Sequence, residues 1–371
     1  MELSDFFTDY TLRTITLGTA VLGAICGMLG SFAVLRKQSL LGDAISHAAL
    51  PGIALAFIFT GTKDSNFLLI GALISGLVGT FWIKGIVKRT RLKNDTALGL
   101  ILSLFFGFGM LLLTFIQKMP NANQAGLDKY LFGQAATLVE KDVWVMATIT
   151  GISLIVLLLF WKELKLLLFD PDYTKTLGFN TKFLDILITS FIVLAIVLGL
   201  QTVGVVLMSA MLLAPAAAAR QWTNNLGYMI ILASGFGAFS GVFGTAISAS
   251  QDNLSTGPVI VLVAAGFVLV SFIFSPGRGL LFREIRFRRN RRELHQRKTL
   301  TSMYRIVKEH EDITRPHAIR ILNNFQGFTR KTLNKLEEKD FVRIEGNQWS
   351  MTQKGFDEAE SMYNPSDTEH D

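Results

Sequence analysis

The chain has 371 residues, of which 50% are hydrophobic and only 18% charged, where an ordinary soluble protein carries about a quarter charged residues. With a mean hydropathy of +0.41, this composition excludes a purely soluble protein, and apolar runs long enough to cross a bilayer recur between residues 12 and 275. Cys26 is the single cysteine, which excludes an intrachain disulfide. The net charge of +7 says nothing about nucleic acid until it is located along the chain.

Apolar segments fall at roughly 12–35, 40–60, 66–87, 95–117, 143–161, 182–201, 203–219, 228–249 and 257–275. Glu2, Asp5 and Asp9 precede the first, where a secretory leader would be basic, so no cleaved signal peptide is expected. Loop charge then sets the orientation. Arg36 and Lys37 follow the first segment, Lys84 to Lys93 the third, Lys162 and Lys165 the fifth, and Arg220 the seventh. The alternate loops, such as Gln251-Asp252-Asn253, carry few cations. The positive-inside rule predicts an all-α polytopic membrane protein of about nine crossings, N-terminus outside and C-terminus in the cytoplasm. Only Gln201-Thr202 separates the sixth and seventh segments, so the count is open by one.

In the first and eighth segments, Gly23/Gly27 and Gly237/Gly241 are small residues at helical spacing, as are Ser75/Gly79 in the third. Such positions predict close helix–helix packing. The second segment holds the most informative stretch, Gly42-Asp43-Ala44-Ile45-Ser46-His47-Ala48-Ala49-Leu50-Pro51-Gly52. Asp43 and His47 project from one helical face a turn apart. Ionisable groups inside an apolar span mark substrate or ion pathways, and carboxylate plus imidazole is half of a shell for Mn²⁺, Fe²⁺ or Zn²⁺. The competing reading makes Asp43 a cap at the helix mouth and His47 a satisfied core histidine. Pro51 and Pro215 sit inside apolar segments, where each frees a backbone carbonyl and favours a kinked or opened helix.

Two connecting stretches stand out. Residues 121 to 143 predict an external loop with a short interfacial helix. At 169–179, Asp170 reads as an N-cap, Pro171 as the first helical residue and Gly178 as the residue just past the end. A helix so short and so heavily punctuated between two spans predicts a docking surface for a cytosolic partner, with Asp172 and Leu177 inside it.

Three domains are expected: a transmembrane domain at 1–277, a basic juxtamembrane linker at 278–298, and a cytosolic domain at 299–371 with a frayed acidic end from Asn364 to Asp371. The linker holds Arg278, Arg283, Arg286, Arg288, Arg289, Arg291 and Arg292, which anchoring and anionic lipid explain without nucleic acid. In the tail, Thr299–His310, Ala318–Phe325 and Lys331–Lys339 read as helices, and Phe341–Thr352 as a hairpin about Gly346-Asn347. Three helices and a hairpin predict a small α+β winged helix-turn-helix. Arg330, Lys331, Asn334 and Lys335 are followed at once by Glu337, Glu338 and Asp340, so protein interaction or regulation is favoured over DNA and no nucleic-acid partner is expected.

Taken together, these residues resemble the permease subunit of bacterial ABC transporters for manganese, zinc or iron (the ABC-3 metal permeases). The likeness covers about residues 10–277. It rests on Arg36 through Gly52, on Phe169-Asp170-Pro171 with Leu177-Gly178, on Val203-Gly204-Val205-Val206-Leu207 leading to Leu213-Ala214-Pro215-Ala216 and Arg220, and on Thr256-Gly257-Pro258. The resemblance implies that Asp43 and His47 contact the metal in transit, that Pro51, Gly52 and Pro215 shape its path, and that the helix at 170–178 couples to the ATPase. It also implies three partners: a cytosolic ATP-binding subunit, an extracytoplasmic metal-binding protein, and a second permease, identical or related. The added tail resembles the DNA-binding half of diphtheria-toxin-repressor-type metal regulators. Their metal and dimerisation parts are not evident, since the tail offers only His295, His310, His317 and His370.

The expected function is therefore the pathway-forming, non-catalytic subunit of an ATP-driven importer, with no permanent cofactor and a divalent metal ion as cargo. No Gly-x-x-x-x-Gly-Lys-Ser/Thr motif occurs, which assigns ATP hydrolysis to a separate chain. The rivals are a membrane-tethered, metal-responsive transcription regulator, which predicts DNA binding by the tail, and a siderophore or cobalamin permease, which would not need Asp43 and His47. An intramembrane metalloenzyme ranks last, because no His-Glu-x-x-His is present.

Overall fold

A computed structural model describes residues 9–38, 40–62, 64–118, 133, 135, 138–251, 254–308, 315–324 and 330–363. The short interfacial helix expected in the 121–143 loop falls largely outside these residues. The chain forms two units, Met1–Gly279 and Leu280–Asp371.

Among the described residues, nine helices of the first unit are long and apolar enough to span a membrane. They are α1 (Tyr10–Leu35), α2 (Leu41–Thr60), α3 (Ser65–Arg89), α4 (Asn94–Gln117), α5 (Glu140–Leu159), α8 (Thr181–Leu200), α9 (Val205–Trp222), α10 (Leu226–Ala249) and α11 (Thr256–Phe274). Two short helices, α6 (Trp161–Phe169) and α7 (Pro171–Thr176), lie between α5 and α8. Asp9 starts the first span by accepting from the amides of Thr11 (2.8 Å) and Leu12 (3.4 Å). α1, α2 and α8 are the most enclosed spans and α5 the least.

The small-residue pairs meet one another. A Cβ on Gly23 would collide with the Gly237 carbonyl, one on Gly27 with that of Ala233, and one on Gly241 with that of Thr19. At the same crossing of α1 and α10, Thr19 Oγ1 contacts Thr245 Oγ1 at 3.0 Å and donates to the Gly241 carbonyl at 3.2 Å. Where lipid removes the hydrophobic drive between helices, such backbone proximity and buried hydrogen bonding hold spans together. Ser75 behaves alike, donating to the Ala48 carbonyl at 2.6 Å to join α3 to α2.

The ends that carry the basic loops gather on one face of the unit. Arg36 after α1, Lys84 near the end of α3 and Asp185 near the start of α8 are hydrogen bonded together. Beyond α11, Ser275 Oγ donates to the Gln221 carbonyl, and Arg278 Nη2 to Asn224 Oδ1 at 2.8 Å. On the opposite face Tyr10 donates to Glu140 at 2.9 Å.

In the second unit, α12 (Leu280–Lys308) is one continuous helix. The stretch expected as a separate linker at 278–298 and the first helix expected from 299 are thus largely a single rod. No Gly or Pro interrupts it, whereas Pro276 and Gly279 stand just before it. Its last turns bury Leu300, Met303, Tyr304 and Val307 against Leu322, Leu333, Leu336 and Trp349. The helix expected at 318–325 is instead a short strand, β1 (His317–Ala318), followed by a 3₁₀ turn at Ile319–Asn324. β1 pairs His317 with Trp349, and the Ile319 amide donates to the Asn347 carbonyl at 3.1 Å, which draws this backbone onto the sheet. Then come α13 (Arg330–Glu338), the hairpin β2 (Val342–Glu345) and β3 (Gln348–Met351), and α14 (Gln353–Tyr363). The sheet is antiparallel in the order β1-β3-β2, with Val342 opposite Met351 and Glu345 opposite Gln348.

Candidate metal-transit site and coupling helix

α1 ends in a tight reversal. The Lys37 amide donates to the Val34 carbonyl and the Gln38 amide to that of Ala33, each at 3.1 Å, with Lys37 at φ 56°. This is a Schellman motif with lysine where glycine usually stands. It throws the chain straight into α2, whose N-cap is Leu40, with no side-chain cap bond. Asp43 is therefore not the cap. It sits inside the first turn, where its charge suits the positive end of the helix.

From Leu41 to Ala54 every residue of α2 is buried except Asp43 and His47. The two ionisable side chains thus share the only open face of an otherwise enclosed stretch, one turn apart. No hydrogen bond joins either side chain to another described residue, and His47 Nδ1 is buried without a partner. A buried polar atom left unpaired needs an explanation, and the satisfied-core reading of His47 supplies none. Phe106 of α4 meets the imidazole edge-on, with centroids 4.8 Å apart and planes at 76°, so the ring is held from one side.

One turn further, Pro51 has no amide to give the His47 carbonyl, so the helix is unbonded directly beside the pair. Gly52 lets α3 approach, since a Cβ there would collide with the Gly71 carbonyl and lie 2.6 Å from Ser75 Cβ. Pro215 is buried within α9 and likewise removes the donor for Met211. Pro51 and Gly52 also border an apolar groove of about 750 Å³ with Phe59, Trp82, Leu104 and Phe108. No carboxylate or imidazole lines that groove. It offers nothing to a metal ion.

Sequence reasoning missed a cluster beside the entrance to α2. Asp185 accepts from Arg36 Nη1 at 2.8 Å and from Lys84 Nζ at 2.7 Å, and Lys84 also donates to Thr189 Oγ1 at 3.0 Å. In the sequence Arg36 and Lys84 look like loop charge, and Asp185 falls inside an apolar segment. The cluster ties the ends of α1 and α3 to the first turns of α8.

α7 directly precedes α8 and is built as its punctuation predicts. Asp170 Oδ1 accepts from the Tyr173 amide at 2.9 Å, and Pro171 is the first helical residue. At the other end the Gly178 amide donates to the Lys175 carbonyl at 3.0 Å and the Phe179 amide to that of Thr174 at 3.3 Å, with Gly178 at φ 84°. Asp172 pairs with Lys175 at 2.9 Å. Only Thr174 of this helix is buried, leaving Tyr173, Leu177 and Phe179 exposed together on the basic face. Among the described residues no group of three or more His, Cys, Asp or Glu is placed to hold a metal, so Asp43 and His47 make half a site at most.

Residues 8–275 match the family described as the ABC 3 transport family. The chain belongs to that family. It is 51% identical over 287 residues to the zinc transport system membrane protein TroC of Treponema pallidum, covering 77% of this chain and 96% of that protein. The manganese transport system membrane protein MntC of Bacillus subtilis is 43% identical over 347 residues, 93% of this chain and 80% of the relative. That second match is longer than the membrane unit, so it extends into the tail. Among solved structures, PsaBC from Streptococcus pneumoniae in complex with Fab superposes with a TM-score of 0.66 at 34% identity, over 74% of this chain and 96% of that one. The nine-span unit is thus an ABC 3 transport family fold, and α2 and α7 are parts of it.

Proposed function

We propose that this chain is the membrane-spanning subunit of an ATP-driven importer of a divalent transition metal, and that Asp43 and His47 are transient ligands to the ion in transit. The observation that carries this reading is the open face of α2. Two metal-ligating side chains, free of described protein hydrogen-bond partners, occupy the only half-buried positions of an otherwise fully buried stretch. Relatives named for zinc and for manganese, and one named as a probable iron transport system membrane protein at 36% identity, support a metal cargo. Oxygen and nitrogen donors suit Mn²⁺, Zn²⁺ or Fe²⁺, and geometry would choose among them.

Two ligands form an open, weak shell, which suits an ion that must leave again. A second permease copy presenting the same pair across a twofold axis would double the donors while both halves are engaged. Pro51, Gly52 and Pro215 shape the path by unbonding or thinning the helices beside it. Asp170, Pro171, Asp172, Leu177 and Gly178 form and cap the helix on which the ATP-binding subunit docks, and the exposed Tyr173 and Phe179 give it an apolar contact. This side faces the cytoplasm, which leaves the opposite side for an extracytoplasmic metal-binding protein. The chain itself hydrolyses no ATP. The tail is a winged-helix domain serving protein interaction or regulation.

The test is transport by the complex reconstituted with its ATPase subunit in proteoliposomes. His47→Ala and Asp43→Ala abolish metal accumulation while the complex still assembles and hydrolyses ATP. Normal accumulation by both variants contradicts the transit site.

A further inference from the structure

Within the second unit, α12 and α13 enclose a cleft of about 490 Å³ lined by Arg288, Arg291, His295, Lys331 and Lys335, with Gln296 and Thr332. Arg288, Arg291 and His295 are spaced three and four apart and form one stripe of α12, while Lys331 and Lys335 are one turn apart on α13. Cations from two helices therefore converge, and no carboxylate lines the cleft. Arg288 is neutralised in part by Glu284 at 2.7 Å, and Arg289, outside the cleft, by Glu293 at 3.2 Å. The surplus of positive charge calls for an anion whose oxygens can accept several charge-assisted hydrogen bonds at once, as a phosphate does.

The foot of the same helix says where that phosphate is found. α12 begins at Leu280, six residues beyond the end of α11 at Phe274, and the intervening Ser275 and Arg278 are tied to Gln221 and Asn224 on the basic face of the membrane unit. Its first two turns expose Leu280, Leu281, Phe282, Ile285 and Phe287, interleaved with Arg283 and Arg286. Apolar side chains followed by an arginine collar, next to a span, are the pattern of a helix lodged in the lipid headgroup layer. At about 1.5 Å per residue, Arg288 stands only about 12 Å along the helix from Leu280. Duplex DNA fits less well. The lysines of α13 that would enter a major groove line the cleft toward α12 instead.

We propose that the α12–α13 cleft binds the phosphate headgroup of an anionic phospholipid, fastening the tail domain to the membrane that holds the permease. The experiment uses the full chain in nanodiscs of phosphatidylcholine alone or with phosphatidylglycerol added, read by hydrogen exchange of peptides from α12 and α13. Phosphatidylglycerol slows exchange of 286–298 and 330–338 about tenfold. Arg291→Gln/Lys331→Gln/Lys335→Gln loses that protection, Lys331→Arg/Lys335→Arg keeps it, and unchanged exchange of the β2–β3 hairpin certifies the fold of both. Equal exchange in the two nanodiscs overturns the proposal. So does protection in neutral nanodiscs by duplex DNA or by millimolar inorganic phosphate, which would make the cleft a site for nucleic acid or for a free anion.

Discussion

Gly52→Ala is the sharpest structural test, because its cost can be worked from the packing of α2 on α3. The new Cβ would collide with the Gly71 carbonyl and come within 2.6 Å of Ser75 Cβ, and Gly71 in turn faces the Gly52 carbonyl. Two of these contacts are backbone, so no side-chain rotation relieves them and the helices must separate. Overpacking of this kind costs about 1–3 kcal/mol, which exceeds the gain of about 0.5–1 kcal/mol from replacing a helical glycine by alanine. Gly99→Ala and Gly151→Ala are the controls, since nothing lies within 4 Å of either site and only the propensity gain remains. Thermal unfolding of the purified chain in detergent reads the result. Gly52→Ala lowers Tm by about 2–4 °C, while the controls leave it unchanged or slightly raised, on a scale of about 2–4 °C per kcal/mol. A rise for Gly52→Ala equal to that of the controls refutes the close approach of the two helices.

Asp185→Asn removes the carboxylate shared by Arg36 and Lys84. Asp185 is 39% exposed, so the loss is about 1–2 kcal/mol rather than the about 3–5 of a fully buried pair, again read as a lower Tm. Pro51→Ala restores an amide to the His47 carbonyl, worth about 1 kcal/mol. It raises Tm while slowing metal uptake; faster uptake would remove Pro51 from the pathway. Asp170→Ala deletes the cap of α7 at a cost of about 1 kcal/mol, and Gly178→Val forces a branched side chain to φ 84°. Both reduce recovery of the ATP-binding subunit on purification of the tagged permease, and full recovery with both would place docking elsewhere.

Much of this was legible in the sequence, for identifiable reasons. Spans are legible because the bilayer sets their length, and the expected 12–35 and 40–60 differ from Tyr10–Leu35 and Leu41–Thr60 only at the ends. Gly23/Gly27 and Gly237/Gly241 declared themselves by spacing, though only the structure shows that Gly23 meets Gly237, Gly27 meets Ala233 and Gly241 meets Thr19. The cap of α7 was readable because its signals are local. The Arg36–Asp185–Lys84 cluster was not, because its members stand 149 and 101 residues apart and each looks alone like a loop cation or a stray acid. α14 was missed although Thr352, whose Oγ1 accepts from the Gly355 amide at 3.1 Å, is a usable N-cap signal. The 3₁₀ turn at Ile319–Asn324 reads as a helix in sequence because what holds it on the sheet, the pairing of His317 with Trp349 just before it and the Ile319 amide's bond to the Asn347 carbonyl, is non-local.

The most direct measurement of the central claim is metal content and uptake in cells expressing this chain with its ATPase subunit, comparing wild type with Asp43→Asn, His47→Gln and the double variant at matched membrane levels. The account predicts that each single variant loses most accumulation of one metal among manganese, zinc and iron, and that the double variant is no worse than the more damaged single. Wild-type accumulation of all three metals in the double variant would contradict it.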